Sequence, residues 1–98
     1  MSEKEHPEFE VILRSRRVQR ELDSLQEADY QRVLTRLKAL ASVPRPQGCE
    51  KLYDDIYRVR VGDMRILYQI DEVKRRIEVG GIRRRSERTK RGIENLFR

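Results

Sequence analysis

Four arginines in the second half of the chain are spaced so that a β-sheet would bring them together. Arg58 and Arg60 are two residues apart, so a strand would place both on one face. A glycine-containing turn at 62–63 would return Arg65 to their side, and Arg83 follows near the end of a later strand. Because a planar guanidinium group matches two phosphate oxygens at once, this cluster indicates a phosphate-containing ligand.

An ordinary solvated strand face could contain the same arginines. In that case they would form salt bridges with nearby carboxylates such as Asp63, Glu78 or Glu87. Clustering like charges costs Coulomb energy, which a bound anion would offset. The residues alone leave both interpretations open.

Few side chains remain for catalysis. His6 is the one histidine and lies in the polar segment 1–7, which we expect to be a flexible tail, while Cys49 is the one cysteine. Neither a Ser-His or Cys-His nucleophile pair nor a Cys/His metal site is therefore available, and we expect no metal and no cofactor. Arg and Lys side chains could still catalyse RNA cleavage, because RNA supplies its own nucleophile, the 2′-hydroxyl.

The hydrophobic pattern predicts an α+β fold that begins with a strand at 8–13 and a helical hairpin. Ser15 is placed to cap the first helix, and the second helix begins after 26–27. The segment 43–48 ends the second helix because its prolines and glycine prevent further helical turns. The apolar stripes of the two helices are Val18, Leu22 and Leu25, and then Tyr30, Val33, Leu34, Leu37, Leu40 and Ala41.

The rest of the chain predicts a four-stranded antiparallel meander and a short C-terminal helix. Ser86 would cap that helix, with Ile93, Leu96 and Phe97 on its apolar side. The helical hairpin would cover one sheet face, and the other face has too few apolar residues for a second core. That face would therefore bind a ligand or be solvated. The predicted strands are 51–53, 56–61, 64–70 and 77–82.

Length and charge limit the number of domains and the class of partner that this chain can have. The 98 residues are enough for one domain, 1–98, with one modest core. Lys and Arg number 23 against 17 Asp and Glu, and this net charge of +6 favours a polyanionic partner. We expect a cytoplasmic protein, because no apolar run approaches the roughly 20 residues of a membrane span and the N-terminus does not resemble a signal peptide.

One stretch resembles a known family. The run Tyr-Arg-Val-Arg-Val-Gly-Asp-Met-Arg-Ile-Leu-Tyr at 57–68, with Lys-Leu at 51–52 before it and Arg-Arg-Arg at 83–85 after it, is similar to the RelE/ParE superfamily of toxins from type II toxin–antitoxin systems. The resemblance extends from about residue 9 to 87. RelE-like members are metal-independent ribonucleases that cleave messenger RNA on the ribosome, so the resemblance implies that activity here.

The resemblance also implies roles for individual residues. Arg58 and Arg60 match the basic positions before the hairpin, Arg65 the arginine associated with transition-state stabilisation, and Arg83 the arginine that contacts the phosphate backbone. We expect the neighbouring cations to bind RNA, namely Lys51, Arg84 and Arg85.

One departure from the family pattern favours a second interpretation. RelE-like enzymes usually have a tyrosine a few residues after the late arginine, whereas this chain has Arg-Thr-Lys at 88–90. Lys90 could replace proton transfer, because like charges lower the pKa of a lysine, but it could not stack on a base. The alternatives are a ParE-like gyrase inhibitor without nuclease activity and an inactive RNA-binding relative.

A partner is implied in every case. The resemblance predicts a cognate antitoxin that forms a hetero-oligomer with this chain. An acidic, amphipathic antitoxin segment would match both the net charge and the apolar seams of the helical hairpin. Messenger RNA and the ribosome are the further partners of the ribonuclease interpretation, and no membrane is expected.

Overall fold

The computed structural model describes residues 8–84 and 96–97, which form a sheet of five strands with two helices on one face. This α+β order agrees with the sequence prediction. The predicted tail at 1–7 and the predicted helix from Ser86 lie outside the described residues, apart from Leu96 and Phe97. The elements are β1 (Glu10–Leu13), α1 (Arg16–Asp23), α2 (Glu27–Leu40), β2 (Glu50–Tyr53), β3 (Ile56–Val61), β4 (Met64–Asp71) and β5 (Arg76–Arg84).

The strands lie in the order β1-β5-β4-β3-β2. Each neighbouring pair from β2 to β5 is antiparallel, which confirms the predicted meander. β1 pairs in parallel with β5, with Leu13 opposite Val79, so the first and last strands are neighbours. The sequence pattern predicted β1 but not its place in the sheet.

The core lies between the helices and one face of the sheet. α1 contributes Val18 and Leu22, and α2 contributes three residues at 33, 37 and 40. Ile66 and Tyr68 of β4 are fully buried beneath them. Burial of each large apolar side chain contributes about 1.5–3 kcal/mol relative to exposure, so this layer supplies most of the driving force for folding.

The start of α1 agrees with the sequence prediction in position but not in its hydrogen bonding. Ser15 occupies the capping position with extended backbone angles, yet its side chain makes no capping hydrogen bond. The backbone carbonyl of Ser15 instead accepts from Val18 N at 3.1 Å and Gln19 N at 3.2 Å. α1 is therefore held by its buried stripe rather than by a strong cap.

Two glycines of β5 allow the C-terminal residues to pack against the sheet. A Cβ atom at Gly80 would lie 2.4 Å from Cζ of Phe97, so only glycine fits beneath that ring. A Cβ at Gly81 would lie 3.3 Å from Leu96 Cδ1 and 3.5 Å from Leu67 Cδ1. Leu67 is fully buried although it faces away from the helices. The face predicted to lack a core therefore has a small apolar contact of its own.

A buried tyrosine fastens the segment between α2 and β2 to the sheet. Tyr68 donates its hydroxyl to the Pro44 carbonyl at 2.8 Å, and its ring stacks on Tyr57 with centroids 5.9 Å apart. Arg45 Nε donates to the Tyr57 hydroxyl at 2.9 Å and lies over that ring. Burial raises the pKa of Tyr68 well above its ordinary value of 10, so the hydroxyl stays neutral.

We expect Tyr68→Phe to lower the free energy of unfolding by about 1–3 kcal/mol at neutral pH, because the Pro44 carbonyl loses its donor. The pKa of Tyr68 is higher in the folded state than in the unfolded state. The stability that Tyr68 contributes is therefore fully present below pH 10 and declines as the pH rises above it. The stability difference between wild type and variant should therefore shrink above pH 10. Urea unfolding followed by circular dichroism at several pH values measures it, with Tyr30→Phe as the control. An unchanged difference at alkaline pH would contradict this assignment.

Candidate functional site

The strand register places three of the predicted arginines in one row. Arg60 of β3 is directly opposite Arg65 of β4, and Arg65 is directly opposite Arg83 of β5. Directly opposed residues on one sheet face have Cβ atoms about 4.5–5.5 Å apart, so the three arginine side chains leave the sheet as neighbours. The face is the one opposite the helices, because Val59 and Ile66 alternate with these arginines and belong to the core. The predicted clustering is confirmed, and we call these three residues the arginine row.

Arg58 belongs to the next row of the same face and has an acidic partner. It is opposite Glu50 on one side and Leu67 on the other. Its Nε donates to Glu50 Oε1 at 3.1 Å, and Nη2 contacts the same oxygen. The Arg58 side chain is only 15% exposed whereas that of Glu50 is 61% exposed. Glu50 therefore holds Arg58 along the sheet surface.

Arg83 also has an acidic partner, which comes from α1. Its Nη1 forms an ion pair with Glu21. The salt-bridge interpretation therefore holds for part of the cluster, but with partners other than those predicted. Glu78 pairs instead with Arg14, and Glu87 lies outside the described residues. Arg60 is exposed and has no ion-pair partner within 8–84 or 96–97.

A cleft of about 320 Å³ adjoins the arginine row. Arg36 of α2 enters it from the helical layer and is only partly exposed. Within the described chain Arg36 has no carboxylate partner, so a half-buried positive charge faces the cleft. The other lining residues are Gln47, Gly48, Glu50, Arg58, Val59, Arg60 and Arg65.

A protein-family model matches most of this chain. Residues 12–89 match the family model described as the ParE toxin of the type II toxin–antitoxin system parDE. The chain is a RelE/ParE-type toxin. No curated protein matches it at a significant level.

Solved structures agree with the fold of this toxin. It is similar to a chain of the archaeal RelE–RelB complex from Pyrococcus horikoshii, at 25% identity and a TM-score of 0.70, over 82% of this chain and 98% of that one. It is also similar to the isolated E. coli RelE toxin, at 17% identity and a TM-score of 0.70, over 91% and 96%. A third match is the RelBE2 complex of Mycobacterium tuberculosis, at 20% identity and a TM-score of 0.58, over 80% and 99%.

The remaining predicted site residues of the toxin are not in the arginine row. Lys51 is exposed and opposite Tyr57, which places it on the helix side of the edge strand. Arg84 is exposed and opposite Met64, also on the helix side. Arg85 and Lys90 lie outside the described residues. The structure therefore places Arg58, Arg60, Arg65 and Arg83 on one sheet face, and Arg36 lines the cleft with the first three of them.

The described part of the chain has neither a candidate metal site nor a candidate membrane span. Residues 8–84 and 96–97 contain no group of three or more His, Cys, Asp or Glu side chains that could hold a metal ion. In the same residues, neither helix is long and apolar enough to cross a membrane.

We expect Arg36→Ala to weaken binding of a short single-stranded RNA and to reduce its salt dependence by about one unit in the logarithmic slope, because one phosphate contact is lost. Arg16→Ala is a matched control, since Arg16 is exposed on α1 and does not line the cleft. Fluorescence anisotropy titrations at several salt concentrations measure both. Equal effects of the two variants would show that Arg36 contributes only to net charge.

Proposed function

We propose that this toxin is an endoribonuclease that cleaves messenger RNA on the ribosome without a metal cofactor. The observation that carries the proposal is the arginine row of Arg60, Arg65 and Arg83 on the sheet face opposite the helices. Three adjacent guanidinium groups can contact one phosphate from several sides and stabilise the charge that develops on it during cleavage. The ribosome, as in RelE-like relatives, would hold the messenger RNA against this face.

Each arginine of the row has a distinct position for this reaction. Arg65 is central and has a neighbour on each side, and this position supports a role for it at the scissile phosphate. Arg60 is the most exposed and would make the first contact with the RNA backbone. The attacking group would be the RNA's own 2′-hydroxyl, aligned by these contacts. Lys90 is the proposed proton acceptor.

Inhibition of gyrase without RNA cleavage is the second candidate function. The match to the ParE toxin family model favours it, as does the absence of a tyrosine at 88–90. Retention of all four arginines on one face favours the ribonuclease. The two mechanisms differ in cells, because one cuts messenger RNA and the other causes a DNA-damage response.

We expect Arg65→Ala and Arg83→Ala each to lower the rate of messenger RNA cleavage by about 100- to 1,000-fold, since each removes one transition-state contact. Primer extension on messenger RNA from a translation reaction measures the cleavage. Transition metals are chelated in this reaction while free magnesium is held constant, and cleavage by the wild type should persist.

Arg75→Ala is the matched control for these two variants. Arg75 is exposed at the β4–β5 turn and lies over the Phe9 ring at 4.1 Å, away from the arginine row. Its activity should remain near wild type. Growth arrest by the arginine-row variants at wild-type strength would contradict the proposal. Arrest with intact messenger RNA and a DNA-damage response would favour gyrase.

We further propose that a cognate antitoxin segment binds the apolar groove of the helical hairpin. The groove has a volume of about 330 Å³ and lies between α1, α2 and β1. Leu34 and Tyr30 are partly exposed there, and Lys38 supplies a positive charge at its rim. An amphipathic segment with acidic flanks fits both features. The solved relatives include complexes of RelE with RelB.

We expect Leu34→Lys to weaken antitoxin binding by about 30-fold or more, because a buried apolar anchor is typically worth at least 2 kcal/mol. Thr35→Lys adds the same charge at the next, exposed position of α2 and should change binding little. Titration calorimetry with the cognate antitoxin compares the two. RNA cleavage by both variants should equal that of the wild type, and unchanged antitoxin affinity of Leu34→Lys would exclude the groove.

A further inference from the structure

Glu21 of α1 accepts from three donors that belong to two different elements. Its Oε1 accepts from the backbone N–H of Ile82 at 3.0 Å. Its Oε2 accepts from Arg17 Nη1 at 2.8 Å and also from Arg83 Nη1. The Glu21 side chain is only 21% exposed. One carboxylate therefore connects the helical hairpin, the end of β5 and the arginine row.

The backbone of β5 explains why a helix reaches this position. β1 pairs with β5 only as far as Leu13 opposite Val79. Beyond that point no strand of the described residues pairs with this edge of β5, and side chains of α1 contact it instead. Glu21 accepts from Ile82 N, and Arg17 Nη2 donates to the Gly80 carbonyl at 3.0 Å. Burial of an unpaired backbone group costs about 1–3 kcal/mol, so these two contacts stabilise the end of β5.

The contact with Arg83 uses one end of the guanidinium group. Only Nη1 of Arg83 is engaged, by Glu21 and by the Ile82 carbonyl at 3.4 Å. Within the described chain, Nε and Nη2 have no hydrogen-bond partner. The Nε–Nη2 edge has the fork geometry that binds two oxygens of a phosphate. Glu21 therefore holds Arg83 while leaving a phosphate-binding edge open.

We propose that Glu21 is a positioning residue for Arg83 in the RNA-cleavage site. This inference rests on the proposed ribonuclease function. Glu21 fixes the guanidinium group through Nη1 so that its other edge faces the RNA phosphate. Its negative charge also offsets the repulsion between Arg83 and Arg65, which is directly opposite on β4. Without Glu21, Arg83 would turn away from its neighbours, and the row would lose one of its three members.

The variant Glu21→Gln tests how Glu21 positions Arg83 separately from how it stabilises the backbone of β5. Glutamine keeps a carbonyl oxygen for the Ile82 N–H but removes the negative charge that holds Arg83. We expect kcat for messenger RNA cleavage to fall about 10- to 100-fold, as for a displaced catalytic group. Asp23→Asn is the matched control, because it removes one negative charge from the same helix at an exposed position.

A second measurement tests the contact without reference to RNA cleavage. Arginine-selective labelling with phenylglyoxal, followed by peptide mass spectrometry, should modify Arg83 several-fold faster in Glu21→Gln than in wild type or Asp23→Asn. An unchanged labelling rate would overturn the proposal, because Glu21 would not hold Arg83 in solution. Faster labelling with equal or higher cleavage would also overturn it, because Glu21 would then mask Arg83 rather than position it.

A third measurement, of RNA binding, distinguishes failure of the Glu21 proposal from failure of the proposed ribonuclease function. Glu21→Gln should weaken binding of a short single-stranded RNA in the wild-type background and have no effect in an Arg83→Ala background. Equal effects in both backgrounds would contradict action through Arg83. If the wild type cleaves no RNA, the proposed function has failed. The labelling and binding results then still decide whether Glu21 orients Arg83 toward phosphate.

Discussion

The pairing of β4 with both of its neighbours is the constraint on which the site depends. Ile66 faces the helices, Leu67 faces away from them, and both are fully buried. A slip of one residue would exchange the two faces of the strand and turn Arg65 and Gln69 into the core, so the difference between the faces fixes the register. That register places Arg65 between Arg60 and Arg83. The geometry of the arginine row is therefore a consequence of core packing.

A β-bulge of one residue in β5 places Arg83 on the same sheet face as Arg65. Val79 and Ile82 both belong to the helix-facing core although they are three positions apart, which a strict two-residue alternation forbids. The register shift opposite Leu67 and Tyr68 resolves this, because Gly80 is the unpaired residue of the bulge. Phe97 occupies the space that a side chain at Gly80 would fill. The bulge thus sets the direction of Arg83 and also admits the C-terminal residues.

Local sequence patterns predict contacts between residues that are close together in the chain. The alternation around Arg58 and Arg60 and the turn at 62–63 predicted β3, β4 and the return of Arg65. Pairing of β1 with β5 and the ion pair between Glu21 and Arg83 join residues more than 60 positions apart, so no local pattern indicates them. Strand spacing does not indicate Arg36, because Arg36 belongs to a helix and reaches the cleft from there.

α1 couples the stability of the core to the geometry of the site. Val18 and Leu22 bury one side of this helix, while Arg17 and Glu21, each one position earlier, contact the end of β5. A helix of eight residues is too short to be stable alone, so its position depends on that burial. Loosening of the core stripe would therefore move Glu21 and Arg83 together. A change far from the arginine row could in this way alter the row without contacting RNA.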